Sequence, residues 1–147
     1  GEGTGLVLCG IQIPFNKSLI GHSDADVALH ALTDALLGAI GMGDIGDHFP
    51  PTEEEWSGKS SSTFIEFAVD AIKQKNAKII NADLTLICEK PKISPFKEQM
   101  VRRVADLLQV EPCQVNVKAT TTEGLGSMGR KEGIAANAIV SIEIPTS

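Results

Sequence analysis

The strongest constraint on the fold is an Ala- and Leu-rich helix at residues 27–37, bracketed by acids before it and glycines after it. Ser23 or Asp24 serves as its N-cap, and the acidic residues suit the positive end of a helix. Gly38, Gly41 and Gly43 end it. A helix so apolar needs other elements to cover it, and the rest of the chain supplies them. Residues 6–13 read as one bent strand or two short ones, with Gly10 as a bulge. Thr63 and Glu66 match a capping box that opens a second helix running to about Lys75. Residues 81–88 alternate as a strand. Ser94 and Pro95 give a cap and first-turn proline to a third helix ending near Gln109. Strands follow at residues 115–120 and 136–144. The expected fold is α/β (α+β): a single mixed β-sheet with helices mainly on one face, in β-α-α-β-α-β-β order, as one domain over residues 1–147. So small a sheet leaves its other face partly uncovered, and burial by oligomerisation is the natural inference.

Composition narrows the function classes. A net charge of −6 and an aromatic content of 4%, with no Tyr, argue against a nucleic-acid partner or an anionic membrane surface. No apolar run approaches the ~20 residues of a membrane-spanning helix. Cys9, Cys88 and Cys113 are scattered and odd in number, which suits a reducing compartment. No secretory signal pattern is visible, so the expected setting is a cytoplasm.

Four groups of residues carry candidate chemistry. His30 and Asp34 are four apart and share a helix face. They suit a metal-bound imidazole with a carboxylate beside it, although spacing alone favours a core histidine with Asp34 as its hydrogen-bond partner. Thr120, Thr121, Thr122 and Glu123 follow a strand and precede glycines. Their hydroxyls and amides suit phosphate oxygens, with Glu123 on a divalent ion, or they form a polar turn. Cys88, Glu89, Lys90, Pro91, Lys92, Ile93 and Ser94 form a rigid segment that reads a nucleobase edge and contacts phosphates, or merely starts a helix with solvated lysines. Asp44, Ile45 and Gly46 bind a polyol or cap a turn. Walker, Rossmann, HExxH and CxxC patterns are absent.

Taken together, these segments resemble the 2-C-methyl-D-erythritol 2,4-cyclodiphosphate synthase family. The run from His22 to Gly38 is similar to that family's HSDGDVxxHAxxDALLGA signature. Gly43 to Gly46, Phe49 with Pro50, the run from Asn116 to Glu123, Gly129 with Arg130, and Glu132 to Ile134 match as well, in the family's order. The resemblance implies conversion of 4-diphosphocytidyl-2-C-methyl-D-erythritol 2-phosphate to the 2,4-cyclodiphosphate with release of CMP, in the non-mevalonate isoprenoid pathway. It implies a homotrimer with active sites between subunits. It also implies that His30 is a zinc ligand and that Glu123 holds Mg²⁺ or Mn²⁺. His22 and Thr121 become the catalytic residues, each stabilising the transition state. Ser23, Asp44, Ile45, Gly46 and Phe49 line the substrate site, with Asp44 and Gly46 on the erythritol hydroxyls. The stretch from Cys88 to Ser94, with Thr120 to Glu123, holds the cytidine diphosphate portion, and Arg130 sits near the trimer axis.

The sequence also departs from the family pattern. The family's Asp-x-His zinc pair lies upstream of Gly1, so His30 alone is expected to leave the zinc site empty or weak in this chain. Pro51 and Glu53 stand where many members have aspartates, and Ala25 replaces a glycine. A metal-dependent phosphohydrolase and a non-catalytic nucleotide-binding module are the rival readings. A plastid stroma is the alternative setting, and fusion to a second pathway enzyme is open.

Overall fold

The computed structural model describes residues 6–14, 26–49, 61–89, 92–121 and 134–146. Strands β1 (Leu6–Leu8) and β2 (Ile11–Ile13) pair antiparallel. Cys9 and Gly10 connect them at φ 54° and 76°, the two left-handed residues of a type I′ turn. Gly10 is therefore a turn residue and not a bulge. A Cβ there would meet Cγ of Arg103 at 3.0 Å. Cys9 is fully buried, and burial, with the charge of Asp26 adding to it, pushes its thiol pKa up.

Helix α1 (Val27–Ala39) buries Ala28, Leu29, Leu32, Thr33, Leu36 and Leu37. Its N-cap is Asp26, not Ser23 or Asp24, which lie outside the described residues. The helix passes over Gly38 and stops at Gly41, where φ reaches 69° and Met42 N–H reaches back to Leu37 O at 2.9 Å. The polar segment after it is not all loop: α2 (Ile45–His48) forms inside it. Helix α3 (Ser61–Gln74) already includes Thr63, so Thr63 and Glu66 are interior positions and not its capping box. Strand β3 (Lys78–Ile87) is followed by a 3-10 turn at Ser94–Phe96 whose cap is Ile93, displacing Ser94 from that role. Helix α4 (Lys97–Leu108), β4 (Val115–Thr120) and β5 (Ala135–Glu143) complete the chain. Among the described residues no helix is long and apolar enough to cross a membrane.

The single sheet expected from sequence is two sheets here. Among the described residues the hairpin pairs only with itself, while β3 lies between β4, parallel to it, and β5, antiparallel to it. The positive φ at Cys9 and Gly10, with the Asp26 carboxylate on both their amides, folds residues 6–13 into a hairpin set against α1 and α4. Ala82, Leu84 and Leu86 of β3 point to one face and are fully buried beneath the helices. The other face carries the row Asn116, Asp83 and Ile139, with Ile139 70% exposed. Asn116 and Lys118 both donate to the Asp83 carboxylate and hold it below the usual carboxylate range, the Lys118 hydrogen bond contributing most.

Candidate active site

Helix α1 positions the first group of predicted site residues. Asp26, 2% exposed, accepts Cys9 N–H at 3.0 Å and Leu29 N–H at 3.0 Å on one oxygen, and Gly10 N–H at 2.7 Å on the other. Burial raises its pKa, against those three amides and the nearby His30, which pull it down. The carboxylate thus ties the hairpin turn to the start of α1. His30 follows one turn later, half-buried, its backbone N–H on Asp26 O at 3.0 Å. Its ring meets Phe64 edge-on, with centroids 5.7 Å apart.

Asp34 does not act as the ring partner that its spacing from His30 suggests. Its Oδ1 accepts Ile45 N–H at 2.9 Å. The first amide of a helix has no intrahelical acceptor, and that unmet donor draws the carboxylate. Asp44 caps α2 in a reciprocal box: Oδ1 accepts Asp47 N–H at 3.0 Å, and Asp47 Oδ2 accepts Asp44 N–H at 3.1 Å. Both sequence readings of Asp44 therefore stay compatible, since it caps a turn and remains exposed. Phe49 is buried against Phe64 and Phe67, with ring centroids 4.8 and 5.0 Å away.

A second group gathers where β3 and β4 end. Because the two strands run parallel in register, Ile87 lies beside Thr120, and Cys88 N–H continues the ladder to Thr120 O at 3.0 Å. The chain leaving β3 (Cys88, Glu89, then Lys92, Ile93 and Ser94) and the chain leaving β4 (Thr120, Thr121) start side by side. Cys88 and Ile93 are buried anchors, whereas Lys92, Ser94, Thr120 and Thr121 are exposed. The carboxyl ends of adjacent parallel strands are the usual place for a ligand in α/β proteins.

His22, Ser23, Lys90, Pro91, Thr122, Glu123 and Arg130 lie outside the described residues. Among the described residues no three His, Cys, Asp or Glu side chains form a group that would hold a metal. His30 offers one imidazole, which by itself does not make a zinc site. A cleft of about 390 Å³ opens at the other end of the sheet, lined by Val69, Lys73, Lys78, Leu108 and Gln114 among others. None of the predicted site residues lines it. Asp26 was missed by the sequence reading, although an Asp directly before an apolar run is a cap signal. Asp47, three residues after Asp44, was also readable as a box partner.

The model of the YgbB family matches residues 1–143. The bifunctional enzyme IspD/IspF of Chelativorans sp. (strain BNC1) is 54% identical over 147 residues, covering 100% of this chain and 36% of that protein. The chain therefore spans little more than a third of the bifunctional relatives it matches. A solved structure of 2C-methyl-D-erythritol-2,4-cyclodiphosphate synthase in a CDP-bound form is 36% identical with a TM-score of 0.87, over 97% of this chain and 93% of that one. The CDP complex of IspF from Plasmodium falciparum is 33% identical with a TM-score of 0.83, over 100% of this chain and 88% of that one.

Proposed function

The chain belongs to the YgbB family, and from that membership we propose that it converts 4-diphosphocytidyl-2-C-methyl-D-erythritol 2-phosphate to 2-C-methyl-D-erythritol 2,4-cyclodiphosphate and CMP. The observation that carries this reading is the side-by-side ending of β3 and β4, joined by Cys88 N–H on Thr120 O. The exposure of Lys92, Ser94, Thr120 and Thr121 at that edge supports a shared ligand site there, on a chain that aligns almost end to end with CDP-bound synthases.

The chemistry is an internal displacement. An oxygen of the substrate's 2-phosphate attacks the β-phosphorus, a new P–O bond closes the ring, and the P–O bond to CMP breaks. The CMP phosphate takes the bonding pair. No enzyme nucleophile is required, so the residues position and neutralise. Asp44 and Gly46 take the erythritol hydroxyls. The segment from Cys88 to Ser94 takes the cytidine, while Thr120, Thr121 and Thr122 take the diphosphate. His22 and Thr121 meet the charge that develops at the attacked phosphorus. A divalent ion, when bound, supplies positive charge to the phosphates. His30 would be one zinc ligand and Glu123 the holder of Mg²⁺ or Mn²⁺. The half-buried ring of His30, free of Asp34, suits that duty, but a complete ligand set is not present among the described residues.

The working form is a homotrimer. An open sheet face with Ile139 at its centre supports that assembly, as does an exposed Ile144 beyond β5. Arg130 belongs near the trimer axis in this reading. The test is to incubate the full protein with the diphosphocytidyl substrate and Mg²⁺, then resolve the products by chromatography. CMP with the cyclic diphosphate in equal amounts is expected. CMP without the cyclic product marks a hydrolase, and no CMP removes the synthase reading.

A further inference from the structure

Asp26, His30 and Asp34 stand at i, i+4 and i+8 and form one stripe along α1. Asp26 is committed to the hairpin turn, and His30 has its place in the proposed reaction. Asp34 has none, yet its carboxylate makes a specific long-range bond, to Ile45 N–H at 2.9 Å across eleven residues.

What that bond controls follows from how α2 is held. The helix has four residues, too few to be stable alone. Its capping box joins Asp44 only to Asp47, so it shapes the segment without placing it. Three groups of contacts place it. His48, its last residue, sets its ring against Phe67 with centroids 4.9 Å apart and brings Nε2 to Met42 O at 2.6 Å. At the far end Phe49 packs between Phe64 and Phe67, a non-directional contact that tolerates sliding. At the near end Asp34 holds Ile45, the residue between Asp44 and Gly46. A hydrogen bond with an ionised partner has a preferred direction and length, so it sets the rotation of α2 against α1. The charge also suits the positive end of the short helix.

We infer that Asp34 is a positioning residue: by holding Ile45 N–H it sets Asp44 and Gly46 for the polyol end of the substrate, and so governs substrate affinity rather than the chemical step. The inference rests on the synthase reading. Asp34 is exposed, so water competes for the bond and the effect is moderate.

The test uses the full protein with Asp34→Ala, Asp34→Asn and, for comparison, Asp44→Ala. Asp34→Ala is expected to raise KM about tenfold with kcat held within about twofold. CDP, which lacks the polyol, should bind it as tightly as it binds the wild type. Asp34→Asn should recover part of the loss, because its amide oxygen still accepts. Hydrogen exchange at the Ile45 amide should speed up in Asp34→Ala and less in Asp34→Asn. An unchanged KM overturns the inference, as does a parallel loss of CDP affinity, which would mark general loosening. A fall in kcat at constant KM also overturns it, by placing Asp34 at the reacting atoms. If the wild type forms no cyclic product, the synthase reading fails instead. Ile45 exchange then still decides whether Asp34 holds the segment.

Discussion

Asp26 accepts three backbone N–H groups while 2% exposed, and two of them belong to a turn seventeen and sixteen residues away. An Asn in its place has one acceptor oxygen, and its NH₂ would face an amide donor. Asp26→Asn should therefore cost about 1–3 kcal/mol, even though it removes the penalty of burying a charge. Urea denaturation measures this, and equal midpoints for both proteins would contradict the clamp. Asp83 makes a pH prediction of opposite origin. Its folded pKa lies below the ordinary 3.8 because Lys118 and Asn116 donate to it. Its stabilising contribution is therefore present above pH 3.8 and is lost as pH falls through the lowered folded value. Asp83→Asn should flatten the acid limb of a stability–pH curve by lowering stability slightly at neutral pH, while leaving it unchanged once pH falls below the folded value. A variant curve that parallels the wild type throughout would show that the bridge carries no linkage.

At the scale of elements, α2 depends on Gly43 as well as on Asp34. Gly43 has φ 76°, and a Cβ there would lie 2.1 Å from Asp47 Oδ2. The Asp47 carboxylate has room to swing away only by releasing Asp44 N–H. Gly43→Ala should thus cost about 1–2 kcal/mol in left-handed strain alone and open the capping box. Faster hydrogen exchange across residues 44–47, with a raised KM, is the expected result. Unaltered exchange would mean the box does not matter. Elements with a local cause were legible in the sequence. Alternation placed Val115–Thr120 to the residue, and apolar periodicity placed α1. The misses have distant causes. Cys9 is an unusual first residue for a I′ turn, and its backbone is held by a carboxylate from α1. Asp34 was read against His30 because spacing sees only its own helix, while Ile45 reaches it through the tertiary fold. The nucleotide side divides similarly. Cys88 and Thr120 were each readable as strand ends, but their adjacency comes from the parallel pairing of β3 with β4.

At the scale of the whole molecule, the open sheet face is the feature left uncovered among the described residues. Ile139 lies opposite Asp83 in the middle of that face, 70% exposed in a single subunit. A trimer that buries this face loses its packing when a charge is put at that position. Ile139→Asp should therefore sediment as a monomer where the wild type sediments as a trimer. A wild type that is monomeric and fully active would contradict the assembly. The central claim is that this fold closes a ring between two phosphates of one substrate and expels CMP. The most direct measurement is phosphorus NMR of the full protein turning over the diphosphocytidyl substrate with Mg²⁺. The account predicts two mutually coupled phosphorus resonances of a cyclic diphosphate growing in step with CMP. CMP accompanied by two uncoupled phosphate monoester signals, or an unchanged substrate spectrum, would contradict it.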